Sequence, residues 1–172
     1  MAYLVLTLIG DDRAGLVAAT ADVINAHGGN WERSQLAELA GAFAGVVEVW
    51  VPDERAAELT ASLAELDGLL KVVAQPGTSA DPGAGWPELR ASLVGNDRPG
   101  IVREVTGVLS RHGLNIETLN TRTVDAPMGG GRLFEADVVA RIPPAVDVTL
   151  LRADLERLAG EILVDITLSE SD

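Results

Sequence analysis

The residues best suited to chemistry sit in two short runs. Asp12, Arg13, Gly15 and Leu16 stand where an apolar stretch gives way to a helical pattern, and Asp97, Arg98, Gly100 and Ile101 stand at a second such place. The first turn of a helix has N–H groups without intrahelical partners and a partial positive charge, so it can hold a small carboxylate. An aspartate beside it attracts an ammonium group. An α-amino acid carries both charges. The same residues admit a structural reading, in which Asp12 and Asp97 are N-caps worth about 1 kcal/mol each, Pro99 stands just inside the second helix, and the glycines allow close packing. Asn30 and Asn115 follow their aspartates by 18 residues. Each opens an extended stretch, where its amide could serve a zwitterion as donor and acceptor or could simply shape a turn.

These residues recur because the sequence repeats. Gly10-Asp11-Asp12-Arg13-Ala14-Gly15-Leu16-Val17 returns as Gly95-Asn96-Asp97-Arg98-Pro99-Gly100-Ile101-Val102, and His27-Gly28-Gly29-Asn30-Trp31-Glu32 returns as His112-Gly113-Leu114-Asn115-Ile116-Glu117. The offset is a constant 85 positions. Two copies of one unit are therefore expected, residues 1–76 and 87–172, joined over residues 77–86 by a flexible connector rich in Gly, Pro and small residues.

Each copy shows the same order of patterns. Residues 3–9 and 88–94 read as short, largely buried strands ending at a glycine and an acidic turn. A helix follows, with Leu16, Thr20, Val23, Ile24 and His27 on one face in the first copy and Ile101, Val105, Val108, Leu109 and His112 in the second. Gly28 and Gly113 stand where a left-handed residue ends a helix. Residues 30–39 with 42–51, and 115–125 with 132–142, read as antiparallel pairs. The first turns at Ala40-Gly41 and the second has a longer, mobile glycine-rich tip over residues 126–131. Second helices carry Ala56, Leu59, Leu63 and Leu66, and Val148, Leu151, Leu155 and Leu158, before closing strands at 69–75 and 161–168. The order βαββαβ predicts an α+β chain of two ferredoxin-like domains, each an antiparallel sheet with both helices on one face.

Composition narrows the function. The 172 residues carry a formal net charge of −13, and no cluster of Lys and Arg offsets it, which argues against direct nucleic-acid binding. Cysteine is absent, so thiolate metal sites and cysteine nucleophiles are excluded. The apolar opening of the chain has no basic residue before it and meets Asp11 and Asp12 at once, which fits neither a signal peptide nor a membrane span. A soluble cytoplasmic protein is expected. His27 and His112 each sit in the last turn of a helix with no second ligand at metal-binding spacing, and the sequence holds no phosphate-binding loop, nucleophile elbow or dinucleotide fingerprint. No metal site, cofactor or catalytic residue is expected. Trp31, Trp50 and Trp86 read as core or interface anchors, and Glu54, Arg55 and Glu58 as a solvated helix face.

The run Asp97-Arg98-Pro99-Gly100-Ile101-Val102, followed by Ser110-Arg111-His112-Gly113-Leu114-Asn115-Ile116-Glu117, resembles the signature of ACT domains, small βαββαβ modules that sense amino acids. The first copy resembles it with Ala14 in place of the usual proline. Residues 30–43 and 115–123 are similar to the second strands of tandem ACT proteins of the glycine cleavage system transcriptional repressor group. The resemblance implies ligand binding at the loop between first strand and first helix and at the start of the second strand, hence at Asp12, Gly15, Asn30, Asp97, Gly100 and Asn115. Serine-sensing members have a histidine where this chain has Gly10 and Gly95, and asparagine where it has aspartate, so serine recognition of that kind is not implied.

The expected function is non-enzymatic: a small amino acid, glycine or a similar one, binds at ACT domain interfaces and changes affinity for a protein partner. If the subgroup resemblance extends that far, the partner is a transcription activator of glycine cleavage genes. A homodimer is expected, without membrane contact. Glycine has about 5 non-hydrogen atoms, and a ceiling near 1.5 kcal/mol per atom limits its dissociation constant to roughly a few micromolar at best. The alternatives are a ligand-independent interaction module or regulatory subunit and, third, an enzyme of amino-acid metabolism.

Overall fold

In the computed structural model, which describes residues 1–78, 83–127 and 130–171, the alternation of Leu4, Leu6 and Leu8 with Tyr3, Val5, Thr7 and Ile9 makes Ala2–Asp11 a one-sided strand, β1. The leucines are buried, whereas Tyr3, Val5 and Ile9 are exposed. Glu88–Asn96, β5, does the same with Leu89, Ala91 and Leu93 inward. These strands are thus buried on one face only, not largely buried as their apolar content suggests. They also run through their glycines. A Cβ on Gly10 would sit tightly, 3.0 Å from the Leu69 carbonyl oxygen, and one on Gly95 would clash at 2.5 Å with Val164 Cγ2, so the chain approaches closely at both positions.

The chain divides into two units, Met1–Asp81 and Pro82–Asp172, called modules 1 and 2 below. Module 1 continues with α1 (Leu16–Ala26), β2 (Asn30–Leu39), β3 (Ala42–Val51), a single 3-10 turn (Asp53–Arg55), α2 (Ala56–Ala64) and β4 (Lys71–Pro76). Module 2 continues with α3 (Ile101–Arg111), β6 (Asn115–Asp125), β7 (Arg132–Arg141), α4 (Val148–Ile162) and β8 (Val164–Ser171). The sheets have the orders β2-β3-β1-β4 and β6-β7-β5-β8, with every neighbouring pair antiparallel. Each first helix carries the chain from a central strand to an edge strand lying parallel to it but one strand away. This is the ferredoxin-like arrangement in both modules.

Each module has its own apolar core between sheet and helices. Leu6, Leu8, Val49, Leu59 and Leu63 are essentially inaccessible in module 1, as are Leu93, Leu109, Leu151 and Leu155 in module 2. Burying a leucine stabilises by about 1.5–3 kcal/mol relative to exposure, so these contacts hold the helices to the sheet. The histidines close the helix pairs. His27 Nδ1 lies 2.8 Å from the Val23 carbonyl oxygen, which can only accept, so Nδ1 donates, and Nε2 lies 3.2 Å from the Ser62 hydroxyl. That contact ties α1 to α2. His112 uses the other nitrogen as donor, Nε2 to Asp154 Oδ2 at 2.9 Å, and so ties α3 to α4.

Several boundaries differ from the sequence expectation. Neither Asp12 nor Asp97 caps a helix: the N-cap residues are Gly15 and Gly100, in the left-handed region at φ 95° and 91°, with no side-chain cap. Glycine suits that conformation as aspartate would not. Pro99 accordingly stands before the cap and outside the helix. Helix α4 runs through Glu161 and Ile162, and the closing strand begins only at Val164, after Leu163 adopts φ 55°. Gly28 and Gly113 do take the left-handed conformation after α1 and α3, and Ala40-Gly41 forms a tight turn with both φ positive. The expected connector and the tip of the second hairpin fall partly on residues 79–82 and 128–129, outside the described residues. Among the described residues no helix is long and apolar enough to cross a membrane.

Candidate functional site

The left-handed Gly15 turns the chain sharply from β1 into α1. The first intrahelical bond of α1 runs from Ala19 N–H to the Gly15 carbonyl at 2.9 Å, so the N–H groups of Leu16, Val17 and Ala18 precede the ladder and no side chain caps them. The loop is pinned to the hairpin tip by a bond from Asp12 N–H to the Gly41 carbonyl at 2.9 Å. Arg13 Nη2 donates to the carbonyls of Gly68 and Leu69 at 2.7 and 2.8 Å, fixing the loop to the turn after α2. Among the described residues, no further protein bond engages Arg13 Nε or Nη1.

These constraints leave an open hollow of about 450 Å³ lined by Asp12, Arg13, Gly15, Leu16, Val17, Ala18 and Phe43. Its size lies in the range of small-molecule sites. Asp12 and Arg13 are exposed and line it together with the first residues of α1. A carboxylate can be met there by N–H groups and Arg13, and an ammonium by Asp12. Leu16 is 3% exposed, so it offers the site its backbone while its side chain fills the core, and Ile101 is placed likewise in module 2.

Module 2 places Asp97, Arg98, Gly100 and Ile101 in the same loop, with Asp97 N–H bonded to the Arg132 carbonyl at 2.9 Å. The arginine behaves differently. Arg98 Nη1 donates to Glu104 Oε1 at 3.0 Å, and its Nη2 donates to Oε2 of the same carboxylate, a bidentate pair across the start of α3. Hydrogen bonding to Arg98 holds the Glu104 carboxyl below the ordinary carboxylate range. Partial desolvation opposes that effect, and the charges of Arg98 and Arg103 add to it.

Within its own module, neither Asn30 nor Asn115 is brought to the loop. Asn30 pairs with Trp50, opposite Tyr3, whereas Asp12 follows the far end of β1, where Asp11 pairs with Ala42. Nine residues of strand at about 3.3 Å each separate the two ends. Asn115 pairs with Arg141 opposite Glu88, and lies equally far from Asp97. Asn30 Nδ2 instead bonds Glu32. Sequence reasoning missed Val17, Ala18, Phe43 and Glu104. The hairpin at Ala40-Gly41 sets Phe43 opposite Glu38, and the long-range pairing of β3 with β1 is what brings it opposite Gly10.

Among the described residues, no group of three or more His, Asp or Glu side chains is placed to hold a metal ion. Two sheets of this order, each with an uncapped helix start after a left-handed glycine, define a tandem of small βαββαβ modules. Residues 2–72 and residues 90–156 each match an ACT domain family model, and the chain belongs to the ACT-domain proteins. It is 25% identical over 167 residues to the glycine cleavage system transcriptional repressor of Escherichia coli (strain K12), covering 93% of this chain and 85% of that protein. The crystal structure of a protein from Galdieria sulphuraria matches with TM-score 0.88 and 28% identity, covering 99% of each chain. A second crystal structure, assigned to the glycine cleavage system transcriptional repressors, shares the fold with TM-score 0.75 at 16% identity, covering 99% of this chain and 98% of that one.

Proposed function

We propose that this chain is a non-enzymatic cytoplasmic regulator that binds a small amino acid, glycine or a similar one, and thereby alters its affinity for a protein partner. The observation that carries this reading is the hollow at the start of α1, where Asp12, Arg13 and three uncapped N–H groups offer complementary charges to a zwitterion. Coupling of about 1–3 kcal/mol between ligand and partner suffices for regulation. The similarity to the Escherichia coli repressor supports a partner among the transcription regulators of glycine cleavage genes. With a net charge of −13, contact with a protein is a better physical route than contact with DNA. The chain acts as a homodimer in this reading.

A separate observation favours a protein-binding face whether or not a ligand is present. The outer face of the module 1 sheet exposes Tyr3, Val5, Ile9, Val46 and Val73 among Thr7, Glu48, Lys71 and Gln75, whereas that of module 2 carries Arg90, Ser92, Glu135 and Asp137 beside Val94 and Val139.

Isothermal titration of the purified chain with the twenty amino acids tests the sensing claim. Saturable heat from glycine or another small amino acid, with a dissociation constant between roughly a micromolar and a millimolar, is the expected result. Silence across the panel at millimolar concentration would overturn it and leave only the interaction module.

A further inference from the structure

We infer that Glu104 is the built-in occupant of the module 2 site, so that each chain takes free ligand in module 1 and the residue at position 19 or 104 decides whether a module is open. This rests on the amino-acid-binding reading above and deepens it.

The two loops share their aspartate, arginine and glycine at the constant spacing of 85. They part company two residues into the helix, where module 1 has Ala18-Ala19 and module 2 has Arg103-Glu104. Helical side chains lean toward the N-terminus, so a fourth-position residue covers the first turn. Glu104 does this: its Oε1 lies 3.7 Å from where a Cβ on Gly100 would stand, and both its oxygens accept from Arg98. A carboxylate at that end of a helix is favoured by the helix dipole, as a ligand carboxylate would be. Ala19 leaves the corresponding place in module 1 without a carboxylate.

The arginines follow from the same difference together with the neighbouring turn. Arg13 has the carbonyls of Gly68 and Leu69 within reach, because α2 stops at Ala64 and the chain turns before β4. In module 2 the segment before β8 is the last turn of the longer α4, and Arg98 finds its acceptors on Glu104 instead. An incoming amino acid would have to displace a carboxylate already bound through two oxygens and tethered to the site. With its carboxyl held below the usual range, chiefly by the bond from Arg98, Glu104 stays charged throughout the neutral range.

The test is calorimetric titration of the full chain with glycine, together with a carboxyl NMR titration. The wild type should bind one glycine per chain and Glu104→Ala two, with thermal melts showing that the variant folds. Two equivalents on the wild type would overturn the inference and leave the amino-acid reading intact. Absence of binding by wild type and variant alike would overturn both for glycine. The carbon-13 titration reads the latch without any ligand. The Glu104 carboxyl should titrate below free glutamate and return toward it in Arg98→Ala, and an ordinary value in the wild type would overturn the inference whatever binds.

Discussion

Ala19→Glu is expected to weaken amino acid binding to module 1 by about a hundredfold or more while leaving the fold intact. The substitution copies into module 1 the carboxylate that module 2 carries at Glu104, within reach of an arginine and a helix start already in place. Two unit charges about 4 Å apart at an effective dielectric of 20 repel by about 4 kcal/mol. Solvent screening at an open site reduces this, and a hundredfold loss needs only about 2.7 kcal/mol. Ala19 is partly exposed on a helix, and glutamate is a good helix former, so the melting temperature should hold within a few degrees. Calorimetric titration of the variant checks the affinity. Binding as tight as in the wild type would show that the ligand does not use the start of α1.

Gly45→Ala should be the most destabilising conservative change in module 1. A Cβ at position 45 would lie 2.0 Å from the Gln35 carbonyl oxygen and 2.8 Å from the Leu36 Cα, both backbone atoms of β2. Neither can rotate away, so β2 must separate from β3 where Leu36 pairs with Gly45. Overpacking costs typically 1–3 kcal/mol, and a clash with backbone belongs at the top of that range. The calorimetric midpoint of module 1 should therefore fall by roughly 10–20 °C. A fall below about 2 °C would show that the β2 edge is free to shift. Because Phe43, two residues away on β3, lines the hollow, the change should also weaken binding.

The fold was legible in the sequence because its two strongest signals agree. The 85-residue offset shows two copies, and within each the apolar period switches from two to about three and a half and back in the order βαββαβ. Faces were legible for the helices: Leu16, Thr20 and Ile24 are buried as their spacing requires. Depth was not. β1 is apolar from Leu4 to Ile9 except at Thr7, yet only alternate residues are buried, and a single strand does not tell whether a second layer covers its other face. The helix starts were misread because an aspartate ahead of a helix looks like a cap, whereas here the left-handed glycine three residues later makes the turn.

The candidate site was half legible. Asp12, Arg13, Gly15 and Leu16 are adjacent in sequence, so a single loop assembles them. Asn30 and Asn115 failed to join their loops for a topological reason: α1 and α3 carry the chain back along the sheet, so the second strand must begin at the opposite end from where the first one stops. The contrast between Ala19 and Glu104 stands in the aligned copies. Its meaning needed the direction of Arg98, which a sequence does not encode locally.

In the proposed function the start of α1 receives the amino acid. A nitrogen-15 NMR titration of the full chain with glycine tests it most directly. Saturable shifts of the backbone amides of Arg13, Gly15, Leu16 and Val17 are expected, with those of Arg98, Gly100 and Ile101 unmoved. Saturable shifts confined to other parts of the chain, with the amides of residues 13–17 unmoved, would contradict it.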